Sequence, residues 1–70
     1  MKLRVWVEHC LFETDRRTGV KYPRYVIRAY DVKASDDPDK AYGEAIEKVR
    51  RFLLPTDRIY SVQRVPEGRA

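Results

Sequence analysis

The feature that most constrains this chain is one sharply punctuated helix set between two strand-like halves. Pro38 fits the first helical position, where its missing N–H costs no hydrogen bond, and Asp37 before it fits the N-cap. A residue preceding proline avoids helical geometry, which is what an N-cap needs. Asp36, Asp37 and Asp39 sit at the positive end of the helix dipole, and Lys48, Arg50 and Arg51 at the negative end. Between them Ala41, Tyr42, Ala45, Ile46, Val49, Phe52 and Leu53 fall on one arc of about 140°. Pro55 stops the run, so the spacing predicts a helix over 38–53.

Before the helix, Leu3 to Phe12 alternates with period two, and apolar residues occupy both parities. That pattern predicts a central strand. Glu13 to Lys21 is a polar turn bending at Thr18-Gly19, and Tyr22 to Ala34 is a second strand. Pro23 donates nothing to a ladder, which sends this strand to an edge. Its phase stays open: Tyr25, Ile27 and Ala29 share one parity, and Val26, Arg28, Tyr30, Val32 and Ala34 the other. A bulge near 28–30 would let Ile27 and Val32 share the core face. A third strand runs from about Arg58 to Val65.

The expected fold is therefore α+β in the order β-β-α-β. It has a three-stranded antiparallel sheet of order 2-1-3, with one helix packed on one face. Seventy residues make one domain, 1–70, and residues 66–70 read as a flexible tail. A domain this small buries only about 60% of its unfolded surface, so outside help is valuable. Cys10 is the single cysteine, which rules out an intrachain disulfide and falls short of a zinc set. Self-association remains, and a homodimer is one expectation. The longest apolar runs are three residues, against the roughly 20 a membrane span requires. With a lone thiol, that points to the cytoplasm as the expected location.

Enzymatic chemistry is poorly supplied. His9 and Cys10 are strand neighbours and point to opposite faces, so they cannot share a proton or a metal. His9 shares its face with Val5, Val7 and Leu11, as a core-edge histidine does. Helix capping accounts for the three aspartates. No phosphate loop, Ser/His/Asp set or paired-cysteine motif occurs. The expectation is no enzyme, no cofactor, no metal and no small-molecule substrate. On the outer helix face Glu44 and Lys48, and Glu47 and Arg51, are spaced as i,i+4 pairs. Gly43 stands among them with no packing reason.

What remains is the sheet face the helix leaves bare, together with a basic hairpin. The net charge of +4 gathers there: residues 16–34 carry six basic side chains and one acidic one. The candidate binding residues are Arg4 and Trp6 on the first strand, Arg16, Arg17, Lys21, Arg24 and Arg28 in the hairpin, and Tyr60 on the third strand. Trp, Tyr and Arg are favoured anchors of protein interfaces. The same residue types on an open sheet stack single-stranded bases and hold phosphates. A protein partner, or a second copy, is the first expectation, and nucleic acid the alternative. Burial of Trp6 within its own chain, and edge protection by Arg28 and Lys33, are the plain structural readings.

The stretch Val32-x-Ala34-Ser35, with Ala41 and Ala45 following, lies after a hairpin and before a final strand. Over about residues 22–65 this pattern resembles small phage-encoded ββαβ proteins, some anti-CRISPR inhibitors among them. The resemblance implies a stoichiometric inhibitor that docks on a larger host complex. It carries over no functional residue.

Overall fold

In the computed structural model, residues 1–66 are described. Strand β1 covers Lys2–Thr14, β2 Lys21–Lys33, helix α1 Pro38–Arg50 and β3 Arg58–Arg64. The strands form one antiparallel sheet in the order β2-β1-β3. Pro55 and Pro66 flank β3, and Pro23 lies on the edge strand, where a missing donor costs the sheet nothing. Of the expected tail only Pro66 is described; residues 67–70 lie outside the described residues.

Helix α1 begins as its sequence dictates. Asp37 is extended at φ −77° and ψ 112°, and its carboxylate accepts the Asp39 N–H at 3.0 Å. Asp36 takes the Met1 amino group instead. The helix ends at Arg50, three residues short of the expected Leu53. Phe52 and Leu53 donate to Val49 and Arg50, tightening the last turn into i→i−3 bonds. The Leu54 N–H is then taken by the Asp57 carboxylate at 2.9 Å.

Leu3, Val5 and Val7 of β1 are fully buried against Ala41, Ala45 and Val49 of α1. The two alanines let the helix axis approach the sheet closely. Val32, Ile59, Val62 and Leu53 complete the core from its margin.

The register settles the phase of β2. Val32 lies opposite Leu3, Tyr30 opposite Val5 and Val26 opposite His9, so the even residues share the helix side. Tyr25, Ile27 and Ala29 lie on the open side. No bulge falls at 28–30; the irregularity is on β3, between the partners of Trp6 and Val7, where Tyr60 is the extra residue.

The sheet is uneven in length. β1 and β2 pair along 13 residues each, but β3 pairs only with Leu3 to Glu8. Beyond Glu8 the hairpin continues alone, as a two-stranded ribbon reaching about 20 Å further along β1. The molecule measures 52 × 28 × 15 Å, with a radius of gyration of 15.8 Å. A compact chain of this length would have about 11 Å.

Candidate binding surface

Trp6 is the centre of the open face. Ala29 on β2 and Ser61 on β3 are its cross-strand neighbours, and their small side chains leave room for the indole above the sheet. Its Nε1 donates to Gln63 Oε1 at 3.0 Å, and the residue is half-buried. One position along, the Arg4 guanidinium forks onto Asp31, with Nε to Oδ1 at 2.8 Å and the second nitrogen to Oδ2 at 3.1 Å. That fork holds the Asp31 carboxyl below the usual carboxylate range. Arg4 is thus a structural clamp between β1 and β2 as well as a surface charge.

Toward the ribbon, Cys10, Phe12, Tyr25 and Ile27 continue the open face. Phe12 is 65% exposed and Tyr25 60%. The ribbon's other side shows Leu11 and Tyr22, and Val20 leads into β2. Large apolar side chains on both sides of an uncovered ribbon are unusual for a lone domain.

The expected binding residues do not form one surface. Arg4, Trp6 and Lys21 share the open face, whereas Arg24 and Arg28 are even-numbered and belong to the helix side. Tyr60 is exposed on the β3 bulge. Arg16 and Arg17 are exposed at the ribbon tip, in a turn braced by Asp15 accepting the Arg17 N–H at 2.8 Å and by Gly19 at φ 73°. Arg24 is neutralised by Glu13, which also accepts the Tyr22 hydroxyl. Arg24 first, and Tyr22 next, hold the Glu13 carboxyl below its ordinary value. Among the described residues Arg16, Arg17 and Lys21 form no ion pair, so the tip carries three unpaired positive charges; Arg28, further along β2, and Lys40, Arg51 and Arg58 elsewhere are likewise unpaired.

The outer helix face is wired differently from its i,i+4 spacing. Glu44 accepts the Ser35 N–H at 3.2 Å, Lys48 reaches the Lys33 carbonyl, and Glu47 meets Arg50 at 3.4 Å. A side chain at Gly43 would meet nothing within 4 Å.

Asp57 is the residue whose role the sequence did not reveal. Its side chain is only 3% exposed. It accepts the Leu54 N–H at 2.9 Å and the Cys10 N–H at 3.3 Å, and lies 3.1 Å from His9 Nδ1. His9 Nε2 in turn meets the Tyr30 hydroxyl at 2.7 Å, and Tyr30 packs edge-on against Phe52. The Leu54 N–H, then His9 and Cys10, hold the Asp57 carboxyl below its ordinary value. This chain of contacts ties the loop after α1 to both strands of the hairpin where β3 begins. His9 and Cys10 do face opposite sides, as strand neighbours must.

No helix among the described residues is long and apolar enough to cross a membrane. Comparison with known protein families, curated proteins and solved structures finds no match for this chain.

Proposed function

We propose that this chain is a small non-enzymatic binding module that docks on a protein partner. The docking surface runs from Trp6 along Phe12, Tyr25 and Ile27, with Arg16, Arg17 and Lys21 steering from the tip. The observation that carries the reading is the uncovered ribbon, with exposed Phe12 and Tyr25 along one side. A partner that is apolar at its centre and acidic at its rim complements it. Stoichiometric inhibition or adaptor action, in the manner of the phage-encoded proteins it resembles, is the form this binding takes. It acts in the cytoplasm.

Nucleic acid is the second reading, and the free charges of the tip favour it. The open face favours protein. Base-binding sheets place aromatic rings on adjacent strands; Phe12 and Tyr25 are so placed toward the tip, whereas Trp6 at the centre is flanked by the small Ala29 and Ser61.

Two assays separate the readings. In the first, the immobilised chain is offered a host lysate, alongside Trp6→Ala and Phe12→Ser. In the second, Trp6 fluorescence is titrated with single- and double-stranded oligonucleotides at low and moderate salt. The protein reading expects a discrete captured protein, lost in both variants while circular dichroism stays native, and no oligonucleotide response. A saturable, salt-sensitive response, with capture indifferent to both variants, overturns it.

A further inference from the structure

The outer edge of β2 has a pairing capacity the docking surface does not use. Ala34 donates to the Met1 carbonyl and Asp15 to the Val20 carbonyl, which fixes the even residues of β2 as those bonded to β1. The N–H and C=O groups of Tyr25, Ile27, Ala29 and Asp31 therefore point outward, and no hydrogen bond among the described residues satisfies them. Lys33 closes the edge at one end, its carbonyl taken by Lys48, and Pro23 closes it at the other. Long free edges invite another strand, and proteins ordinarily blunt them. The stretch from Tyr25 to Asp31 has no bulge or cover, and its one charge on the helix side is Arg28.

We infer that this edge pairs with the same edge of a second copy, antiparallel about a twofold axis at Ile27. This deepens the protein-binding reading by naming a second copy as one partner. The register follows from the side chains. Centred on Ile27, the strands set Ile27 against Ile27 and Tyr25 against Ala29 on the open face. On the helix side they set Arg28 against Val26 and Arg24 against Tyr30, where a guanidinium meets an aromatic ring. Asp31 donates to the Pro23 carbonyl of the second copy, so the missing proline N–H removes one bond per side.

The neighbouring registers are worse, and centring on Val26 would oppose Arg24 to Arg28. Centring on Arg28 opposes two like charges directly. Centring on Ala29 sets Ile27 against Asp31, already clamped by Arg4, and Tyr25 against Lys33, whose carbonyl is occupied.

The product is a six-stranded sheet, β3-β1-β2-β2-β1-β3, with both helices on one side. Each ribbon then lies beside the covered half of the other copy, and Val26 and Arg24 approach the half-buried Tyr30 and the exposed Phe52 against it. The two open faces merge into one, so each copy contributes Tyr25 and Ile27 to a joint docking surface.

The test uses the purified full chain alone. Light scattering across a dilution series reads the mass. Ile27→Cys, Arg28→Cys and Ala29→Cys, each with Cys10→Ser, are compared under mild oxidation. The inference expects a doubled mass that Ile27→Lys returns to the monomer with native circular dichroism, and expects Ile27→Cys to cross-link first. A monomer at every concentration overturns it. So does a dimer in which another position cross-links ahead of Ile27→Cys, or in which none of the three does. Because no other protein is present, failure here leaves the docking reading intact, and that reading fails only on the capture assay.

Discussion

The two halves of one hairpin carry similar side chains to opposite ends. In the half nearest α1, Leu3, Val5 and Val7 are sealed under the helix and β3 closes the outer edge of β1. In the far half, Leu11, Phe12, Tyr22 and Tyr25 have the same strand geometry and no cover. The first half contributes the stability of the fold. The second depends on it, and offers its apolar area to something else. Asp57 marks the border, because it holds the end of the helix loop against His9 and Cys10 where β3 begins.

The sharpest way to break this contrast is to make one substitution on both sides of the border. Leu3→Ala and Leu11→Ala alter the same residue type, on the same strand and the same face. Leu3→Ala is expected to cost about 2–5 kcal/mol in urea unfolding, a large share of what so small a domain has. Leu11→Ala, at 43% exposure, is expected to cost under about 1 kcal/mol. Equal losses would erase the distinction.

Asp57→Asn attacks the border itself. Its carboxyl lies below the ordinary value in the folded chain, so its contribution is present above the unfolded carboxylate range. That contribution is lost as pH falls through the lowered folded value. Thermal unfolding followed from neutral to acid pH should show a lower Tm for Asp57→Asn at neutrality and a shallower acid decline than the parent. An unchanged acid decline would place the acid sensitivity in Glu13, Asp31 or Asp36 instead, whose carboxyls are also held low.

Gly43→Ala should have the smallest effect and the opposite sign. With open space at the Cβ position and a helical backbone, it is expected to add about 0.5–1 kcal/mol and leave capture of a partner unchanged. Loss of capture would instead bring the outer helix face into the interface.

The parts of this fold legible in the sequence were those decided locally. Asp37 and Pro38 specify the helix start within two residues, and Pro23 with the apolar alternation of β1 specifies the strand order. The phase of β2 was not legible because both parities hold apolar residues; contact of Tyr30 with His9 and Phe52, far apart in sequence, decides it. The spacing carries the helix end too far because Phe52 and Leu53 keep helical periodicity, while the Asp57 carboxylate that captures the next N–H lies beyond Pro55. Asp57 itself reads as an ordinary loop aspartate until its distant partners are in place. For the candidate surface, Trp6 and the tip arginines could be read from strand parity and charge, but the separation of Arg24 and Arg28 from them waited on the phase of β2. The projecting ribbon had a signal in the unequal strand lengths, since a short third strand cannot flank all of a long first one.

Amide hydrogen exchange along β2 tests the contrast most directly, because alternate residues serve as one another's control. Val26, Arg28 and Tyr30 point their amides at β1 and should be protected at every concentration. Ile27, Ala29 and Asp31 point theirs outward, and are predicted to be protected at high concentration and to lose that protection on dilution. Fast exchange of these three at all concentrations would show that the β2 edge stays unpaired and would contradict the pairing of two copies there.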